Sequence, residues 1–273
     1  MKTPAELAKL ACAVSKVKGN LSVRQMVLMG TLAGAYIAFA GWLMTVVSHD
    51  MTPLYGAGVT RLLSGAVFSV GLMMVVISGS ELFTGNCMMP LGYLAGCTPM
   101  NKILRNWGWV YTANLVGSLL IAALVFFSGL ADGAVGGRAL QVAAGKMSLP
   151  FGQAFVRGIL CNWLVVLAVW MGMAATEIVD KIWAIFFPIM TFVAAGFEHS
   201  IANMYFMALG IFLKATPAAV ESSGLAEQAL ANVSVGGYLS NLIPVTLGNM
   251  VGGILFVAVF YYFIFKDGLT DLD

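Results

Sequence analysis

Two glutamates, two asparagines and one histidine sit where an apolar chain has least use for them. Glu81 and Asn86 belong to Gly79-Ser80-Glu81-Leu82-Phe83-Thr84-Gly85-Asn86, and Glu198 and Asn203 to Gly196-Phe197-Glu198-His199-Ser200-Ile201-Ala202-Asn203; both stretches read G-x-E-x-x-x-x-N. An unpaired carboxylate at bilayer depth is costly, so a chain that carries one twice in the same setting uses it. Glycine and a polar cluster interrupt helical hydrogen bonding, and the freed backbone groups must face protein or a water-lined cavity. Helix N-termini exposed there present partial positive charge, which suits an anion. We read Glu81, Glu198, Asn86 and Asn203 as structural groups that hold the two breaks open.

His199 is one of two histidines and the one at membrane depth; His49 stands beside Asp50 in a short loop and reads as solvated. Imidazole titrates near neutrality, so His199 suits proton exchange with a weak-acid permeant. Leu82 takes its place in the other copy, so the chemistry is not symmetric. Thr84 and Asn162 are polar residues in apolar segments, each able to hydrogen-bond His199, a passing solute or another helix. Phe68, Leu72, Leu82, Phe83 and Phe192 fit narrow apolar rings that resist a hydrated ion, and fit ordinary helix packing equally well. Lys146 puts a positive charge near one mouth, or is simply solvated. Cys12, Cys87, Cys97 and Cys161 form no C-x-x-C pair and read as free thiols. One membrane histidine cannot supply the paired axial ligands of a haem-linked redox subunit. The expectation is therefore no enzyme, with no metal, cofactor or nucleic acid as partner.

These residues need a frame, and composition supplies it: 60% hydrophobic and only 10% charged residues exclude an ordinary water-soluble domain. Apolar stretches fall near 26–47, 62–79 continuing after a break to about 96, 107–130, 154–176, 182–195 continuing after a break to about 213, and 241–265. That is an all-α membrane protein with six transmembrane helices, the second and fifth broken. The motif copies are offset by 117 residues, with three crossings between them, so the halves run in opposite senses. A second echo, Asn114-Leu115-Val116-Gly117-Ser118 against Asn249-Met250-Val251-Gly252-Gly253, has an offset of 135. The single channel domain divides into an N-terminal amphipathic helix (1–24), a first repeat (26–130), a second inverted repeat (154–265) and a tail (266–273).

Thr3-Pro4-Ala5-Glu6 reads as a capping box opening the N-terminal helix, either a membrane-surface anchor or a lid over the inner mouth. Gly30 with Gly34, and Gly248 with Gly252, provide small-residue faces for close helix contact within or between subunits. Nine lysines and arginines lie on the side of the termini against five on the other, which puts both termini in the cytoplasm.

The segments Gly79–Asn86 and Ala195–Met204, with Cys161-Asn162-Trp163-Leu164 between them, resemble the signatures of the formate/nitrite transporter family. The resemblance implies an aquaporin-like protomer in a homopentamer, each protomer with its own pore for a small monovalent weak-acid anion: formate, nitrite or hydrosulfide. It implies a prokaryotic inner-membrane location in the lipid bilayer. By position, His199 would be the central pore histidine and Thr84 its partner. Lys146 and Asn162 would make its surroundings electropositive, and Leu82 and Phe192 would fall at constrictions, with Phe68, Leu72 and Phe83 nearby. Within the family the Gly79–Asn86 motif is nearer the nitrite and hydrosulfide branches. The competing expectation is an aquaporin-like channel for neutral solutes, although paired Asn-Pro-Ala loops are absent.

Overall fold

The computed structural model describes residues 1–269, so the last four residues of the expected tail lie outside the description. Among the described residues there is no strand. Six stretches are long and apolar enough to cross a membrane: Val23–Ser48, Met51–Ser78, Met100–Phe127, Phe151–Ala174, Ile178–Ala195 and Val235–Gly268. They follow α1 (Pro4–Gly19) as α2 (Val23–Ser48), α3 (Met51–Phe68) with α4 (Val70–Ser78), α7 (Met100–Phe127), α9 (Phe151–Ala174), α10 (Ile178–Ala195) and α14 (Val235–Gly253) with its continuation to α15 (Phe260–Phe265). The short α5 (Phe83–Asn86) and α6 (Pro90–Leu94) extend the second span, α8 (Ala134–Met147) precedes the fourth, and α11 (Ser200–Leu213) extends the fifth. α11 then bends by 114° into α12 (Pro217–Ser223), and α13 (Glu227–Asn232) precedes the last span.

The two breaks have the same backbone. α4 ends at Gly79 with φ 80° and ψ 32°, and α10 ends at Gly196 with φ 80° and ψ 31°, the left-handed conformation that glycine adopts without steric cost. Leu82 (φ −113°, ψ 122°) and His199 (φ −109°, ψ 116°) are then extended and open α5 and α11. Matched dihedrals at matched positions make the internal repeat a structural fact.

Close approach holds each half together. A Cβ at Gly34 would strike the Asn114 carbonyl and one at Gly117 the Thr31 carbonyl, so α2 and α7 pack backbone to backbone. In the second half Gly248 faces the Phe155 carbonyl and Gly252 the Ile159 carbonyl, locking α9 to α14. Small residues permit this contact in lipid, where dispersion rather than hydrophobic force drives association. The glycine faces thus serve packing within the protomer.

The N-terminal helix packs on the bundle, and one expectation is corrected there. α1 opens with the expected capping box, the Thr3 hydroxyl accepting from Glu6 N–H and the Glu6 carboxylate accepting from Thr3 N–H. One face of it docks on protein: Leu7, Ala8, Ala11, Cys12 and Ser15 are buried against the bundle. Ser15 donates to the Met89 carbonyl, and Lys18 pairs with Glu81. Cys12 and Cys97 are not the free thiols expected; they form a disulfide with Cα atoms 5.8 Å apart, within the usual range for such a link. They lie 85 residues apart, and only the docking of α1 onto the loop after α6 brings them together. Cys87 and Cys161 are free and buried.

Peptide mapping of the folded protein after alkylation should recover Cys12 joined to Cys97. Cys87 and Cys161 should label only after denaturation. Rapid labelling of Cys12 without a reductant would contradict this pairing.

Candidate functional site

Each break is held by the same set of side chains. In the first, Glu81 pairs with Lys18 and accepts from Asn86 Nδ2 at 2.7 Å, Asn86 Nδ2 also donates to Asn106 Oδ1 at 2.8 Å, and Asn106 Nδ2 donates to the Lys18 carbonyl at 3.2 Å. In the second, Glu198 pairs with Lys146 at 3.0 Å and accepts from Asn203 Nδ2 at 2.6 Å, Asn203 Nδ2 donates to Asn241 Oδ1 at 2.8 Å, and Asn241 Nδ2 donates to the Lys146 carbonyl at 2.8 Å. A third asparagine closes each set. Asn114 accepts from Phe83 N–H and donates to the Gly30 and Glu81 carbonyls; Asn249 accepts from Ser200 N–H and donates to the Gly158 and Glu198 carbonyls. These bonds satisfy groups that the interrupted helices would otherwise leave bare in an apolar interior.

The breaks meet at His199. Its Nδ1 accepts the Ala202 N–H at 3.1 Å, capping the first turn of α11. A backbone N–H can only donate, so in the neutral ring the proton resides on Nε2, which donates to Thr84 Oγ1 at 2.8 Å. The ring also stacks on Phe192, with centroids 5.8 Å apart. A second proton on Nδ1 would have to displace the Ala202 cap.

Two cavities converge on this point. On the side of the termini a cavity of about 210 Å³ is bounded by Lys18 and Ser15 of α1, Glu81, Leu72 and Leu82. On the opposite side a cavity of about 160 Å³ is bounded by Arg61, Arg138, Lys146, Glu198, Phe192 and His199. Between them a chamber of about 10 Å³ has Phe68 and Phe192 toward one cavity and Leu72 and Leu82 toward the other. Ile37, Val165 and Ile189 complete its wall beside His199. A volume this small admits about one water.

The remaining residues singled out by sequence fall as follows. Asn162 spends both Nδ2 hydrogens on the Thr84 and Asn249 carbonyls and is not bonded to the His199 ring. Lys146 lines the cavity on the side away from the termini, but its charge is committed to Glu198. Phe83 is corrected: it turns away from the chamber and packs edge-on against Tyr111 and Trp107, lining a separate apolar groove. Thr84, the next residue in the same helix turn, reaches His199. Sequence reasoning passed over Asn106, Asn241, Arg61 and Arg138. A signal for the first two existed, since Asn106 precedes Asn114 by the same interval as Asn241 precedes Asn249.

A helical frame with inverted repeats, two broken spans and paired vestibules pinched at a buried histidine defines a channel-type membrane protein. Comparison with known proteins agrees. The family profile described as formate/nitrite transporter matches residues 5–263. The chain is 44% identical to the probable formate transporter of Methanothermobacter thermautotrophicus, covering 96% of each. It is 38% identical to the formate channel FocA of Haemophilus influenzae, covering 97% of this chain and 95% of that one. A solved structure described as a pentameric formate channel with formate bound superposes with a TM-score of 0.79 at 36% identity, covering 89% of this chain and 98% of that one. The chain belongs to the formate/nitrite transporter family, a family of membrane transporters and not of enzymes.

Truncating Asn249 to Ala strands Ser200 N–H and the Glu198 carbonyl, each at a cost of about 1–3 kcal/mol when buried, and removes the tie to the Gly158 carbonyl of α9. Asn114→Ala should do the same to the other break. Both variants should unfold at clearly lower temperature in detergent than an Ala substitution at exposed Thr112. Equal melting temperatures would refute the bracing role.

Proposed function

We propose that the protein is a channel for small monovalent weak-acid anions, with formate first, and that His199 shares a proton with the permeant. The observation that carries this reading is the His199 ring in the wall of the small chamber between two vestibules, its Nε2 bonded to Thr84 Oγ1. The rest of the chamber wall is apolar. A bare anion is strongly disfavoured in such surroundings, so something must offset its lost hydration. The Nε2–H can turn from Thr84 to a carboxylate oxygen. Sharing a second proton with the anion further spreads the charge, at the expense of the Ala202 cap, so proton movement is coupled to the first turn of α11.

Passage requires the Phe68/Phe192 and Leu72/Leu82 pairs to part, since the resting chamber is smaller than formate. Formate is favoured over the nitrite and hydrosulfide expected from the Gly79–Asn86 motif because the relatives reported above are described as formate proteins. The family description also favours an anion over the neutral-solute alternative. A homopentamer follows by analogy with the pentameric relative. By the same analogy the protein belongs to a prokaryotic inner membrane, and the excess of lysine and arginine near the termini supports both ends in the cytoplasm.

The test is formate flux into proteoliposomes as a function of pH. His199→Phe should abolish the pH dependence of flux while the protein still assembles. An unchanged pH profile would sink proton sharing.

A further inference from the structure

The two vestibules carry different net charge. In the cavity on the side of the termini, the one lysine among the lining residues, Lys18, is ion-paired with the one carboxylate, Glu81, so that wall is neutral. In the opposite cavity Arg61, Arg138 and Lys146 face a single carboxylate, Glu198, which Lys146 already engages. A surplus of two positive charges remains, and both belong to arginines. The other carboxylates of that face, Asp50, Asp132, Glu221 and Glu227, do not line the cavity. Among the described residues neither arginine is in an ion pair.

Arg138 is oriented as well as charged. Its Nε donates to Ser48 Oγ at 3.1 Å, and Nη1 lies 3.5 Å from Gln141 Oε1, whose amide is in turn tied to the Ser223 carbonyl. Three of its five N–H donors stay uncommitted. A guanidinium held this way presents a planar fork that matches two oxygens of one anion, whereas an ammonium presents a point charge. We propose that this cavity is a docking site for small oxyanions, built on Arg61 and Arg138 and not on Lys146, and that the cavity beneath α1 has no counterpart. The proposal rests on the channel reading above. It adds which mouth captures the anion and which residues do so.

A permanent anion that fits the mouth but cannot accept a proton at His199 separates docking from passage. Methanesulfonate is such a probe. Added to one face at a time during formate flux, in right-side-out and inside-out vesicles, it should inhibit from the arginine face and not from the α1 face. In the double variant Arg61→Gln/Arg138→Gln the inhibitory concentration should rise by about tenfold or more at low ionic strength. Arg138→Lys, which retains charge without the fork, should fall between the two. Equal inhibition from both faces, no inhibition from the arginine face, or an unshifted inhibitory concentration in the double variant would each overturn the docking site. Should that variant fail to assemble, the one-sidedness of the block in the unaltered protein decides. Absence of any formate flux in the unaltered protein would instead sink the channel reading, and the docking proposal with it.

Discussion

A backbone polar group removed from water must find a partner, and both helix breaks answer to that constraint. Stopping α4 at Gly79 and α10 at Gly196 frees N–H and C=O groups in the middle of an apolar bundle. Asn114 and Asn249 each bridge two of these groups with one side chain and tie them to a carbonyl of a neighbouring helix, Gly30 of α2 or Gly158 of α9, which an aliphatic residue could not do. The buried carboxylates of Glu81 and Glu198 are tolerable for the same reason, since each has a lysine and an asparagine amide. Breaking such a set by removing one member leaves a buried charge or dipole uncompensated.

Function arises where this symmetric frame is broken. Leu82 and His199 have nearly the same backbone angles and each opens a helix, yet one offers an isobutyl group and the other a proton donor. The leucine helps to narrow one side of the central chamber, and the histidine supplies its polar spot. Locking Nδ1 to Ala202 sets the tautomer, so Nε2–H points at Thr84 from across the pseudo-symmetry axis. One substitution between otherwise equivalent positions thus separates a gate from a chemical group. The charges follow the same logic, with lysines at equivalent places neutralised by equivalent glutamates, and arginines lining one of the two cavities alone.

Rigidity around the chamber comes from close backbone contact. Four glycines let α2 meet α7 and α9 meet α14 without intervening side chains, so the breaks are suspended between two tightly joined helix pairs. α1 completes the floor, tied by the Cys12–Cys97 link and by Lys18 reaching Glu81. Its amphipathic face is therefore buried on protein.

Spans, breaks and repeat were legible in the chain because they are local or periodic. A window of apolar residues reports a crossing, a glycine beside a polar cluster reports a stop, and a recurring motif at a constant offset reports a repeat. The capping box of α1 was equally readable, since its bonds join residues three apart. Tertiary structure alone decided what depends on the rotation of one helix against another. Phe83 and Thr84 are neighbours in sequence but face different ways, about 100° apart around the helix, so one packs on Tyr111 and the other meets His199. Cys12 with Cys97, Lys18 with Glu81, and Arg61 with Arg138 join segments far apart in the chain, and no local pattern encodes such distances. The sequence by itself determined which groups could not be left in lipid unpartnered; the packing of the helices decided which partner each received.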